Sequence, residues 1–98
     1  MYGDNQVKAF ILRELIKKRK FGGAHTPLDN ITNNLPDELL HNKQGQKLIE
    51  KGVKELVNFE FVIVLQKRTG KGSDLHISIN PRKIKEISEF LNHSQLIF

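Results

Sequence analysis

Apolar residues recur at Val7, Phe10, Ile11 and Leu15, with Leu12 and Ile16 widening the arc. That spacing predicts a helix over residues 6–20, with Gln6, Arg13, Lys17 and Lys20 on its polar side. Lys17-Lys18-Arg19-Lys20 then fall in the last turn, where cations complement the helix dipole. Gly22-Gly23 stop the helix, because glycine takes a left-handed cap conformation cheaply. Thr26-Pro27-Leu28-Asp29 predicts the next helix start, with Thr26 as cap, Pro27 at the first position and Asp29 in the first turn. Leu28, Ile31 and Leu35 are its apolar side, and Asn33-Asn34 and Pro36 end it. Residues 36–40 suit one further turn.

The clearest two-faced segment runs from about 43 to 58. Lys47, Lys51, Lys54 and Asn58 recur at i, i+4, i+7 and i+11, and Lys43 and Gln44 extend that face. Leu48, Ile49, Val53 and Leu56 lie opposite. Gly45 and Gly52 fall on the apolar side, where a glycine lets another helix backbone approach closely. Phe59–Gln66 reads as a strand, with Phe61, Ile63 and Leu65 on one face and Val62 and Val64 on the other. Asp74–Ile79 alternates, with Leu75, Ile77 and Ile79 inward and His76 and Ser78 outward. Asn80-Pro81 opens a last helix as cap and first residue. Ile84, Ile87 and Leu91 are its stripe, Phe90 joins at the edge, and Arg82, Lys85, Glu86 and Glu89 face water.

The order helix, helix, helix, strand, strand, helix is α+β. With the Thr26 helix start, the Leu48–Leu56 amphipathic helix and the Phe59–Ile79 hairpin tipped by Gly70 and Gly72, it resembles the winged helix-turn-helix fold. The likeness spans nearly the whole chain as a single domain over 1–98: three helices, a β-hairpin wing and an additional C-terminal helix. Phe21-Gly22-Gly23-Ala24-His25-Thr26 together with Ile77-Ser78-Ile79-Asn80-Pro81-Arg82 is similar to small archaeal winged-helix proteins to which no activity is assigned. The long 32–46 connection departs from the simplest pattern. The resemblance implies that the third helix enters the major groove of DNA and that the wing lies along a flanking groove or backbone. It also implies a homodimer through the C-terminal helix, to which the apolar tail Leu96-Ile97-Phe98 would contribute. The plainer alternative is that this tail packs on its own core.

Charge agrees with a polyanionic partner. The 98 residues carry 16 Lys plus Arg against 11 Asp plus Glu, a net charge of +5 and a pI near 9.6, which suits a nucleic-acid-binding domain. Lys43, Lys47, Lys51 and Lys54 offer phosphate contacts, and Gln44, Gln46 and Asn58 offer donors and acceptors to base edges. Lysine is a flexible point charge and no arginine lies in this helix, so weakly sequence-specific binding is expected. Lys67, Arg68 and Lys71 crowd the hairpin tip. Each cluster also suits plain solvation of a surface, and Glu50, Glu55 and Asp74 dilute the positive potential.

Other chemistry finds little footing. There is no cysteine, hence no disulfide or thiolate site, which favours an intracellular setting. No apolar run approaches the length of a membrane span, and the N-terminus does not read as a secretory signal. A cytoplasmic protein is expected. His25, His41, His76 and His93 include no i, i+4 pair, so no metal site and no cofactor are expected. His25 suits packing or hydrogen bonding at its turn, and His76 on a wing strand could touch phosphate. Gly70-Lys71-Gly72-Ser73 lacks the spacing of a phosphate loop, and no acid–base pair is evident, so no enzyme is expected. The competing function is a protein-interaction adaptor, suggested by the apolar strand 59–65 and the apolar tail. RNA binding is a third reading, but no aromatic stacking platform is evident.

Overall fold

The computed structural model describes residues 3–69 and 72–93, with the backbone alone described at 67–69 and 72–73. Helix α1 spans Asp4–Lys17. At its start the Gln6 side chain accepts a hydrogen bond from the Gly3 N–H, at 2.8 Å. The helix ends three residues before the expected point. Lys20 N–H donates to the Leu15 carbonyl and Arg19 N–H to that of Ile16, the paired bonds of a left-handed cap. Arg19, with φ of 57°, occupies the position where glycine is usual. Lys18, Arg19 and Lys20 therefore follow the helix instead of lining its last turn. Gly22, with φ of 58°, serves the next bend, which lays the chain along the sheet.

Thr26 is not a helix cap. The residue before a proline is driven out of the helical region, and Thr26–Pro27 instead form a short strand, β1. Helix α2 (Leu28–Thr32) follows at once, and the long connection holds a further turn, α3 (Asp37–Leu40). Helix α4 spans Lys43–Asn58. Its end takes Phe59 and Glu60 out of the expected strand. Glu60 has φ of 61°, and the Phe61 N–H returns to the Leu56 carbonyl. Strand β2 thus begins at Val62 and runs to Thr69, and β3 spans Gly72–Ile79. A 3₁₀ turn at Pro81–Lys83, in which the Asn80 side chain accepts from the Arg82 N–H, leads into helix α5 (Ile84–His93).

The sheet is antiparallel, ordered β1-β3-β2. Val62 faces Ile79 and Val64 faces Ile77, while Thr26 also pairs with Ile77. Beyond β1, residues 20–22 run along the same edge. The Lys20 carbonyl accepts the Ile79 N–H at 2.8 Å, and Gly22 N–H donates to the Ile79 carbonyl at 2.9 Å. Ser78 is wholly buried, contrary to its expected outward place. Its hydroxyl donates to the Gly22 carbonyl at 2.7 Å.

Val7, Ile11, Leu12 and Leu15 of α1 meet Ile31 and Leu35, Ile49 and Leu56 of α4, Val62, Ile77 and Ile79 of the sheet, and Ile87 of α5 in one core. Leu12 is central, whereas Ile16, Leu75 and Ile84 remain substantially exposed. Leu75 instead lines an open cleft with Leu28, Asp29 and Asn30 of α2. In α5 only Ile87 is fully buried, with Phe90 and Leu91 packed partly against the core.

Lys8 breaks the apolar pattern of α1, yet it is only 4% exposed. Its ammonium bonds Glu55 of α4 at 2.9 Å, lies 3.9 Å from Asp4, and sits 5.2 Å from the centre of the Phe59 ring. Removing one partner of such a pair strands a buried charge, whereas an apolar isostere does not. Glu55→Ala is expected to cost about 1–3 kcal/mol, less than for a fully buried pair because Glu55 keeps partial access to water. Lys8→Met is expected to stay within about 1 kcal/mol of the parent. Urea unfolding of the two variants checks both values.

Candidate nucleic-acid interface

Helix α4 owes its orientation to its apolar half. Gly45, Ile49, Gly52 and Leu56 are buried, with Leu48 and Val53 packed at the margins. A Cβ on Gly45 would overlap the backbone of Leu39, and one on Gly52 would lie 3.1 Å from Val7 Cγ1. Gly45 therefore admits neighbouring backbone, whereas Gly52 lies against the side chains of Val7 and Lys8 in α1. At the start of the helix, Asn42 Oδ1 accepts the Gly45 N–H at 2.6 Å, while Asn42 Nδ2 donates to the Glu38 carbonyl. These two hydrogen bonds of one side chain fix the corner between α3 and α4.

The opposite half is solvent-facing. Lys43, Gln44, Lys47, Lys51, Lys54 and Asn58 are all exposed. These cations are not equivalent. Lys51 lies 3.6 Å from the Asp4 carboxylate of α1, so part of its charge is already answered. Among the described residues, no ion pair holds Lys43, Lys47 or Lys54. Glu55 turns toward Lys8 and dilutes the stripe less than its sequence position suggests. Glu50 remains exposed beside the stripe.

Gln46 departs from its expected role. Its amide donates to the Leu40 carbonyl at 2.6 Å, so it braces the α3–α4 corner and is not available to a base edge in this arrangement. Beside it, an open cleft of about 490 Å³ is lined by Leu40, His41, Lys43, Gln46, Lys47 and Glu50. This cleft adjoins the N-terminal half of the lysine stripe and brings its first two cations to one opening.

Asp4 is the acidic counterpart of the stripe. Side-chain hydrogen bonding with Glu55, together with the cations of Lys8 and Lys51, holds its carboxyl below the ordinary value, against the opposing effect of partial burial. A carboxylate lowered in the folded state adds stability above its unfolded value, near pH 4, and loses it as pH falls through the folded value.

On the hairpin, the backbone places Lys67 opposite Asp74 and Arg68 opposite Ser73. The side chains of Lys67 and Arg68, all of Lys71, and the tail Leu96-Ile97-Phe98 lie outside the described residues. His76 does not point into open solvent, because its ring meets that of His25, with the two Nδ1 atoms 2.9 Å apart. His25 thus bonds across to strand β3. Spacing along the chain could not show this pair, which joins residues 51 positions apart.

Among the described residues, no group of three or more His, Asp or Glu gathers as a metal cluster, and no helix is long and apolar enough to cross a membrane. No family model, curated protein or solved structure matches the chain.

Proposed function

We propose that this chain is a small winged-helix protein that binds duplex DNA, with α4 presented to the major groove and the β2–β3 hairpin beside it. One observation carries the reading: α4 buries its glycines and aliphatic residues and turns Lys43, Gln44, Lys47, Lys51, Lys54 and Asn58 together to solvent. The element order and the β1-β3-β2 sheet are compatible with that fold. Lysines on flexible stems suit phosphate oxygens, while Gln44 and Asn58 supply the uncharged groups for base edges. Binding is then mainly electrostatic and only weakly sequence-specific. In this reading the protein is a cytoplasmic transcriptional regulator, homodimeric through α5 and the residues after it, with no catalytic step.

The test is an electrophoretic titration with duplex DNA, single strands and RNA at two salt concentrations. Duplex binding that weakens steeply with salt supports the proposal, because counterion release dominates phosphate contacts. Equal or stronger retention of RNA redirects it, and no retention at low salt removes it.

Asp4→Asn gives a finer check. Relieving Lys51 of its carboxylate partner is expected to raise duplex affinity about two- to fivefold, up to the value of one further neutralised phosphate. The same variant is expected to lose stability less steeply than the parent below about pH 4. A nitrocellulose filter assay and acid unfolding followed by circular dichroism read the two effects.

A second reading has its own support. Val57, Phe59, Leu65, Leu75 and Ile84 are substantially exposed, and exposed apolar surface of this kind suits a protein-interaction adaptor. Purification at high salt separates the readings: a stoichiometric protein partner favours the adaptor, and recovery of nucleic acid alone opposes it.

A further inference from the structure

His25 and His76 form a side-chain pair that the nucleic-acid reading leaves unused. Their Nδ1 atoms lie 2.9 Å apart, and their rings meet edge to face, with centroids 4.9 Å apart and planes at 80°. Both residues are half-buried. Their backbones are held in place. His76 pairs with Pro27 on one side and Leu65 on the other, and Thr26, next to His25, pairs with Ile77.

Without a ligand, two neutral imidazoles at this distance share one proton, with one ring donating and the other accepting. The same distance has a second chemical meaning. Two metal–imidazole bonds of about 2.0–2.1 Å that meet at a right angle place their nitrogens about 2.9 Å apart. A tetrahedral angle would separate them by about 3.3–3.4 Å at the same bond lengths. Right-angled nitrogen ligation is the preference of Cu(II) and Ni(II), and Cu(II) is the tightest of the divalent first-row ions at such ligands.

We propose that His25 and His76 form a two-imidazole chelate for a divalent transition metal of square-planar or tetragonal preference, Cu(II) foremost. Each Nδ1 gives its lone pair to the metal. The ring that donated the shared proton carries it on Nε2 instead, so the neutral pair releases no net proton. Among the described residues, no third His, Asp or Glu joins the pair. The bound ion ties the residues ahead of β1 to the middle strand of the sheet. It therefore stabilises the folded chain by binding it in preference to the unfolded one.

The experiment uses the full chain without a histidine tag. CuCl₂, NiCl₂ and ZnCl₂ are titrated separately, followed by calorimetry and thermal unfolding. The expected result is one Cu(II) per chain, a rise in the unfolding midpoint, and an electron paramagnetic resonance spectrum with coupling to two equatorial nitrogens. His25→Ala and His76→Ala remove that step, while His41→Ala and His93→Ala retain it. Absence of a one-equivalent step, or its survival in His76→Ala, overturns the proposal. If the alanine variants do not fold, the parent protein still decides. Paramagnetic broadening confined to the His25 and His76 ring signals supports the site, and broadening at His41 or His93 alone refutes it.

Discussion

Replacing Lys47 and Lys54 together by glutamate is expected to lower affinity for duplex DNA about a hundredfold at physiological salt. Each neutralised phosphate lowers log K by about 0.9 for each tenfold rise in salt, which makes one contact worth about fivefold near 0.15 M. Two lost contacts give about thirtyfold, and two introduced carboxylates facing the phosphates supply the remainder. The slope of log K against log salt should fall by about 2. Lys47 and Lys54 are better choices than Lys51, whose reversal would set a carboxylate against Asp4 and Glu55 and disturb the α1–α4 contact. Circular dichroism should show the double variant folded. A folded variant that binds duplex as tightly as the parent would show that α4 is not the binding face.

Gly45→Ala is expected to have the largest effect on folding. In an exposed helix this change gains about 0.5–1 kcal/mol. Here the new Cβ would overlap the Leu39 backbone, including its carbonyl oxygen, and backbone cannot step aside as the end of a side chain can. A loss of about 3 kcal/mol is expected, at the upper end of the usual cost of overpacking. That is a large share of the stability of so small a domain. Gly52→Ala is the control. Its Cβ would meet the tip of Val7 at 3.1 Å, which a small adjustment relieves, so its cost should stay below about 1 kcal/mol. Equal midpoints for the two variants in urea unfolding would sink this account of the α3–α4 corner.

Periodicity revealed α4 almost to the residue, because sixteen residues of consistent two-faced pattern leave little choice of orientation. The same evidence foresaw its buried glycines, whereas Asn80-Pro81 open a 3₁₀ turn and α5 itself begins only at Ile84. It failed where one residue type serves two purposes. Thr26-Pro27 satisfies the rules for a helix start, yet the proline's constraint on its neighbour made a strand. Arg19 and Glu60 adopt left-handed conformations without being glycine, so neither helix end carries its usual mark. Lys8 breaks the apolar pattern of α1, and its shortest contact, to Glu55, reaches 47 positions along the chain. Of the candidate interface, the exposure of the lysine face was legible. The Asp4–Lys51 contact and the engagement of Gln46 were not, since both depend on how separate elements meet.

Strand β3 is the keystone of the sheet, although it enters the chain only at residue 72. It supplies pairing to β1, to β2 and to the bend at residues 20–22, and it gives Ile77 and Ile79 to the interior. A growing polypeptide therefore has no finished sheet to settle into until residues 72–79 have left the ribosome. Synthesis arrested before Ile79 should leave a nascent chain that proteases digest throughout, and resistance should come in a single step once residues 72–80 have emerged.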